Sequence, residues 1–97
     1  MTYLERIAAI ESACQKHKIP HNIHPCHDGW KIDFPWCFGD IACNSMTIGH
    51  NDDLNLVESY LFPWDEGNVT VLTIKEATLK LIALYILYQL QKITLDN

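Results

Sequence analysis

Residues 73–93 read TIKEATLKLIALYILYQLQKI, and this stretch decides the fold. Thr73 and Glu76 form a capping-box pattern, in which each side chain satisfies a free backbone amide at a helix start. The pattern predicts a helix over residues 74–93. Apolar side chains cover well over half of its circumference, whereas a helix on a small domain buries a stripe about 100° wide. Either a second copy or a partner covers the additional apolar surface, or the helix runs through the middle of the domain, between the sheet and the first helix.

The rest of the chain predicts one more helix and a set of short strands. Thr2 and Glu5 repeat the capping box, and an apolar stripe continues to about His17, where the Ile19-Pro20 pair is expected to stop the helix. Alternation and turn residues predict strands over residues 21–26, 30–34, 41–48 and 69–72, with a turn at 27–29. Segment 56–62 is either a helical turn or an edge strand. The order α-β-β-β-(β)-α predicts a single α+β domain over residues 1–97, with both terminal helices on one face of an antiparallel sheet.

Negative charge is concentrated in the middle of the chain. Residues 28–66 carry eight acidic residues and one basic residue, a net charge of −7, and they hold every Trp and Phe. An acidic surface with aromatic side chains suits a basic partner, such as a nucleic-acid-binding protein. Direct nucleic-acid binding is not expected, because it needs a basic patch. The candidate partner-binding residues are four acids and two aromatic anchors: Asp52, Asp53, Asp65, Glu66, Trp36 and Trp64.

The aromatic residues also have a structural interpretation, in which they close the ends of a small core. Histidine and cysteine residues cluster between positions 17 and 50, and they are the side chains that zinc prefers. One hypothesis places His24 or His27 with Cys26 and Cys37 around zinc. The chain has no Cys-x-x-Cys pair, so we expect no metal site, and zinc binding is an alternative only.

No sequence motif indicates catalysis. The four glycines form no phosphate-binding loop, and the acidic surroundings of Cys26 and Cys37 disfavour the thiolate that a nucleophilic cysteine needs. We therefore expect a protein that is not an enzyme and has no cofactor. The N-terminus lacks a signal-peptide pattern, and no stretch of about 18 apolar residues is present. These features predict a soluble, cytoplasmic protein that has no membrane partner.

A pattern of short segments in the middle of the chain carries a resemblance to a known group of proteins. The segments are 29–30, 34–36, 39–41, 44–45, 56–65, 69–70, 72–73 and 76–77. Across residues 28–82 the chain resembles small proteins encoded by phages and prophages of Gram-positive bacteria. Such proteins include counter-defence factors, among them anti-CRISPR proteins, and several of these imitate the charge of duplex DNA. The resemblance brings no catalytic residues.

The sequence thus predicts a non-enzymatic interaction protein. The resemblance implies a phage-encoded inhibitor, and its partner would be a host defence nuclease, such as a CRISPR effector, or another nucleic-acid-binding protein. The alternative functions are a structural or regulatory homo-oligomer, for example a homodimer through the C-terminal helix, and a small zinc-binding domain.

Overall fold

The computed structural model describes residues 2–27, 29–36, 44–49, 56–61 and 69–96. Helix α1 begins the chain and helix α2 ends it, and five strands lie between them. Their bounds are α1 Tyr3–Lys16, β1 Asn22–Cys26, β2 Gly29–Phe34, β3 Asn44–Gly49, β4 Leu56–Tyr60, β5 Thr70–Thr73 and α2 Ile74–Asp96. The predicted α+β order is confirmed.

The strands form one antiparallel sheet in the order β1-β2-β3-β4-β5. Segment 56–60 is therefore a strand that pairs on both sides and is neither a helical turn nor an edge. The edges are β1 and β5. Strand β1 contains Pro25, which has no N–H to offer a further strand, and β5 is only four residues long.

Both helices pack on one face of the sheet, as predicted. Alternate strand residues such as Ile32, Met46 and Val57 are fully buried on this face. They meet Ile10 of α1 and Leu81 of α2 in a single core. The intervening residues point to the other face, because side chains alternate along a strand, and these are half-buried or exposed: Lys31, Asp33, Thr47, Glu58 and Val71.

Both predicted capping boxes are present. The Glu5 amide donates to Thr2 Oγ1 at 3.1 Å, and the Thr2 amide donates to Glu5 Oε1 at 3.3 Å. At the start of α2, the Glu76 amide donates to Thr73 Oγ1 at 3.2 Å, and the Thr73 amide donates to Glu76 Oε1 at 3.1 Å. Hydrogen bonds from the Thr73 side chain and backbone lower the pKa of the Glu76 carboxyl.

Helix α1 ends before the Ile19-Pro20 pair that was expected to stop it. The Lys18 amide donates to Gln15 O at 3.3 Å, and the Ile19 amide donates to Cys14 O at 2.8 Å. Lys18 has a φ of 55°, the left-handed conformation that favours glycine. These two bonds form a Schellman motif, which satisfies the last carbonyls of the helix, and buried Ile19 packs behind it.

Gly29 was expected to serve the turn between β1 and β2, but it is the first residue of β2. A Cβ atom at this position would lie 2.1 Å from the carbonyl oxygen of Ile48 and 2.8 Å from the Cα atom of Gly49. Glycine is therefore required here by the close approach of β3, not by the turn.

Helix α2 has two apolar faces, and only one of them is in the core. Ala77, Leu81 and Leu84 are fully buried, whereas Leu79 and Leu90 on the opposite side are more than half exposed. Helix α2 contacts both α1 and the sheet, as the interpretation of a central helix expected, but that interpretation is wrong in one respect, because one apolar face of α2 is left uncovered. Within the described residues, no helix has both the length and the apolar character needed to cross a membrane.

Candidate functional site

Five of the six candidate partner-binding residues lie outside the described residues. They are Asp52, Asp53, Asp65, Glu66 and Trp64, and Cys37 of the zinc hypothesis lies outside as well. The structure does describe the residues that flank these segments. Gly49 and Leu56 flank segment 50–55, and Leu61 and Val69 flank segment 62–68.

Those flanking residues lie at opposite ends of β4. Because β3, β4 and β5 pair antiparallel, Gly49 and Leu56 belong to one end of the sheet, and Leu61 and Val69 belong to the other. The five residues of β4 span about 17 Å. The two acidic pairs, Asp52-Asp53 and Asp65-Glu66, therefore belong to connections that leave β4 at different ends.

Trp36, the remaining candidate, lies in the core with 5% of its surface exposed. Its indole Nε1 donates to Pro20 O at 3.2 Å, and its ring centroid lies 5.0 Å from that of Tyr85 and 5.5 Å from that of Tyr88. The expectation that Trp36 is an exposed anchor is corrected, because its polar atom is satisfied inside the protein and its ring fills the space below α2. For Trp36, the interpretation that the aromatic residues belong to a small core is confirmed.

Arg6 occupies a position that the sequence analysis did not single out. The side chain is 1% exposed. Its Nη1 donates to Leu56 O at 2.7 Å and its Nη2 donates to Gly49 O at 3.0 Å. One guanidinium from α1 thus holds together the two strand ends that segment 50–55 connects. Its spacing, three residues after Tyr3 and four before Ile10, could have indicated that it lies beside the buried stripe.

The histidine and cysteine cluster is only partly described. The His24 Nε2 donates to Asp33 Oδ2 at 2.5 Å, and Lys31 Nζ lies 3.8 Å from Asp33 Oδ1 on the same exposed face. His21 Nδ1 donates to Ile19 O at 2.9 Å. Within the described ranges, no group of three potential ligands is placed to hold a metal ion. The zinc hypothesis also needs Cys37, so it stays a prediction.

The described cysteines differ in environment. Cys14 is fully buried, and burial, with a smaller contribution from the Glu11 carboxylate, raises the pKa of its thiol to about 12. A thiol with this pKa is protonated at neutral pH and does not act as a nucleophile. Cys26 is half-buried on edge strand β1, and both cysteines are free thiols.

An open groove of about 310 Å³ lies beside the C-terminal half of α2. It is lined by Tyr85, Tyr88, Gln89, Lys92 and Ile93. These side chains offer aromatic surface and a single cation.

Comparison with protein-family models, with curated proteins and with solved structures gives no match for this chain.

Proposed function

We propose that this protein is a non-catalytic interaction protein that binds a basic, nucleic-acid-binding partner. The binding surface would be formed by segments 50–55 and 62–68, here called the acidic segments, which connect its strands. In its specific form the proposal is that of a phage-encoded inhibitor acting on a host defence nuclease, such as a CRISPR effector. The distribution of charge between the described elements and these segments supports the proposal, as follows.

The helices and strands are nearly neutral, and the connecting segments hold the excess negative charge. The described residues contain seven basic and six acidic side chains, a net charge of +1. The remaining residues contain six acidic side chains and no basic one, a net charge of −6. Clustered charge of one sign attracts and orients a partner of the opposite sign.

The topology refines how a partner would be contacted. The two connections that carry the acidic pairs leave β4 at different ends, and the five residues of β4 span about 17 Å, so the proposed partner would extend past both ends of this strand. A duplex carries phosphate charges at intervals of a few Å, so a groove built for nucleic acid has this reach. With Trp36 buried, Trp64 is the only one of the two proposed anchors that is retained.

The test measures salt-dependent capture with charge-reversal variants. Tagged protein is used to capture proteins from host lysate, which are eluted with increasing salt and identified by mass spectrometry. The Asp52→Lys, Asp65→Lys double variant is expected to lose the captured nucleic-acid-binding protein, because exposed charge pairs dominate encounter and are screened by salt.

The matched control is a Glu11→Lys, Glu58→Lys double variant, which changes net charge by the same amount on described elements. It should retain capture. If both double variants capture the partner as well as wild type does, or if elution does not depend on salt, the electrostatic mechanism is contradicted. Loss in both variants would show that only net charge matters and would contradict a role for the connecting segments.

A second candidate function, the homo-oligomer, is favoured by a separate observation, the exposed apolar face of α2. That observation leads to the inference below, which does not depend on the acidic segments.

A further inference from the structure

Helix α2 carries an apolar stripe on the side that faces away from the core. Leu79, Ala83, Ile86, Leu90 and Ile93, here called the outer stripe, follow one another at alternating spacings of four and three residues. At about 100° per residue, these positions fall within one narrow arc of the helix. The large side chains of the outer stripe are 50% to 59% exposed, and Ala83 is exposed as well.

The spacing of the outer stripe is that of a coiled-coil seam. Alternating steps of three and four residues give a repeat of about 3.5, which keeps a seam facing a partner helix. Residues 81–91 contain no charged side chain, although the face of a helix that meets water normally carries charges. Leu87, which is 44% exposed, widens the apolar surface on one flank. A continuous exposed surface of this kind marks an interaction site, whereas single exposed apolar residues do not.

We propose that the outer stripe is the interface of a homodimer, in which α2 packs antiparallel against α2 of a second copy. The four large side chains of the outer stripe (Leu79, Ile86, Leu90 and Ile93) and the neighbouring Leu87 each leave roughly 100 Å² in contact with water, so pairing two copies removes at most roughly 1,000 Å² in total. This area lies at the lower limit of about 1,000 Å² for a specific interface, which is the size of a weak dimer.

The small net charge of α2 allows a second copy to occupy the outer stripe, and the order of charges along α2 favours an antiparallel arrangement. The chain as a whole has a net charge of −5, but α2 carries three lysines and two acids, so two copies approach through it with less repulsion than through the acidic segments. In a parallel pair, a g position of one helix meets the following e position of the other, which would place Lys75 beside Lys80 of the second copy. In an antiparallel pair, Lys75 lies towards the helix end that holds Asp96, and the two helix dipoles oppose each other.

The test compares the mass in solution of three full-length proteins: wild type, Leu90→Glu and Leu4→Glu. Leu90 and Leu4 are 57% and 59% exposed, so the two substitutions place the same charge at equally exposed leucines, one on the outer stripe and one on α1. Light scattering at about 100 μM, well above a micromolar dissociation constant, should give twice the chain mass of 11.2 kDa for wild type and Leu4→Glu, and the chain mass for Leu90→Glu.

Ile86→Lys serves as a second outer-stripe variant, and circular dichroism confirms that each variant is folded. A monomeric wild type, or a dimer that both outer-stripe variants leave intact, would overturn the proposal. The arrangement is tested by zero-length carbodiimide crosslinking of a mixture of ¹⁵N-labelled and unlabelled wild type. An intermolecular Lys75–Asp96 crosslink is expected, and a dimer that gives only crosslinks compatible with parallel helices would overturn the antiparallel pairing.

Discussion

At the scale of single residues, Cys14 shows how burial sets chemistry. Cys14 lies on the buried face of α1 and belongs to the core. Burial, with a smaller contribution from the Glu11 carboxylate, raises the pKa of its thiol from 9.0 to about 12. The thiol keeps its proton in the folded protein at pH values where the unfolded chain has lost it. Cys14 therefore contributes stability below about pH 9 that is lost as the pH rises towards 12.

We predict that the stability advantage of wild type over Cys14→Ala falls as the pH rises above about 9, by about 1.4 kcal/mol per pH unit. The measurement is urea unfolding of both proteins between about pH 8 and about pH 11. Ionisation of other groups affects both proteins equally and cancels in the difference. A difference in unfolding free energy that stays constant over this range would contradict the prediction.

Trp36 and Arg6 show what sequence patterns miss at this scale. A tryptophan between Pro35 and a cysteine in an acidic segment fits a surface anchor as well as a core residue, and only the positions of Tyr85 and Tyr88 decide for the core. Arginine is usually found at the surface, yet Arg6 is buried because its guanidinium donates to two backbone carbonyls from strands that are distant in the sequence. In both cases the partners lie far away in the sequence, so no local pattern contains them.

At the scale of elements, the ends of α1 are specified unequally by the sequence. Its start follows from the Thr2–Glu5 capping box, in which both hydrogen bonds are local. Its end depends on Lys18 in a left-handed conformation, which a residue other than glycine adopts at a cost of about 1–2 kcal/mol. The Ile19-Pro20 pair predicted where the helix ends, since its C-cap is His17, but no sequence signal predicted that Lys18 would adopt the left-handed conformation.

We predict that Lys18→Gly raises the free energy of unfolding by about 0.5–1 kcal/mol. Relief of the left-handed conformation outweighs the greater freedom that glycine gives the unfolded chain, which is worth about 0.4–1 kcal/mol. Thermal unfolding of the variant measures the gain. Lys16→Gly, within the same helix, should lower the free energy of unfolding, because Lys16 is helical and glycine is a poor helix former. A loss of stability in Lys18→Gly would contradict the prediction.

The sequence showed that apolar side chains cover more of α2 than one buried stripe requires, but it did not show what covers the additional apolar surface. Two interpretations were open because a helix covered on all sides and a helix with a free apolar face have the same composition. The burial of Ala77, Leu81 and Leu84, against the exposure of Leu79 and Leu90, separates the two. The outer stripe and the homodimer proposed from it follow from that asymmetry.

At the scale of the whole molecule, Arg6 connects elements that are distant in sequence. Its guanidinium joins α1 to the end of β3 and the start of β4, across 43 and 50 residues of chain. The same contact holds together Gly49 and Leu56, the two described residues that flank segment 50–55.

We predict that Arg6→Met lowers the free energy of unfolding by about 1–3 kcal/mol. The substitution removes two hydrogen bonds from a charged donor, each worth about 1.5–3 kcal/mol, and it also removes the cost of burying the guanidinium, which offsets part of the loss. Urea unfolding measures the change, and Arg6→Lys should recover part of it because one charged donor is kept. If Arg6→Met is as stable as wild type, desolvation cancels the bonds and Arg6 does not stabilise the fold.

The sequence by itself determined the local structure of this protein: two capping boxes, the alternation that predicts β2 and the α+β order of elements, because these depend on residues a few positions apart. It also determined that the net negative charge is concentrated in residues 28–66. Only the tertiary structure decided that β4 is a paired inner strand, that Trp36 is buried, that Arg6 joins two strand ends and that one apolar face of α2 stays exposed. These features depend on which distant segments meet, and burial is settled only when the whole chain has packed.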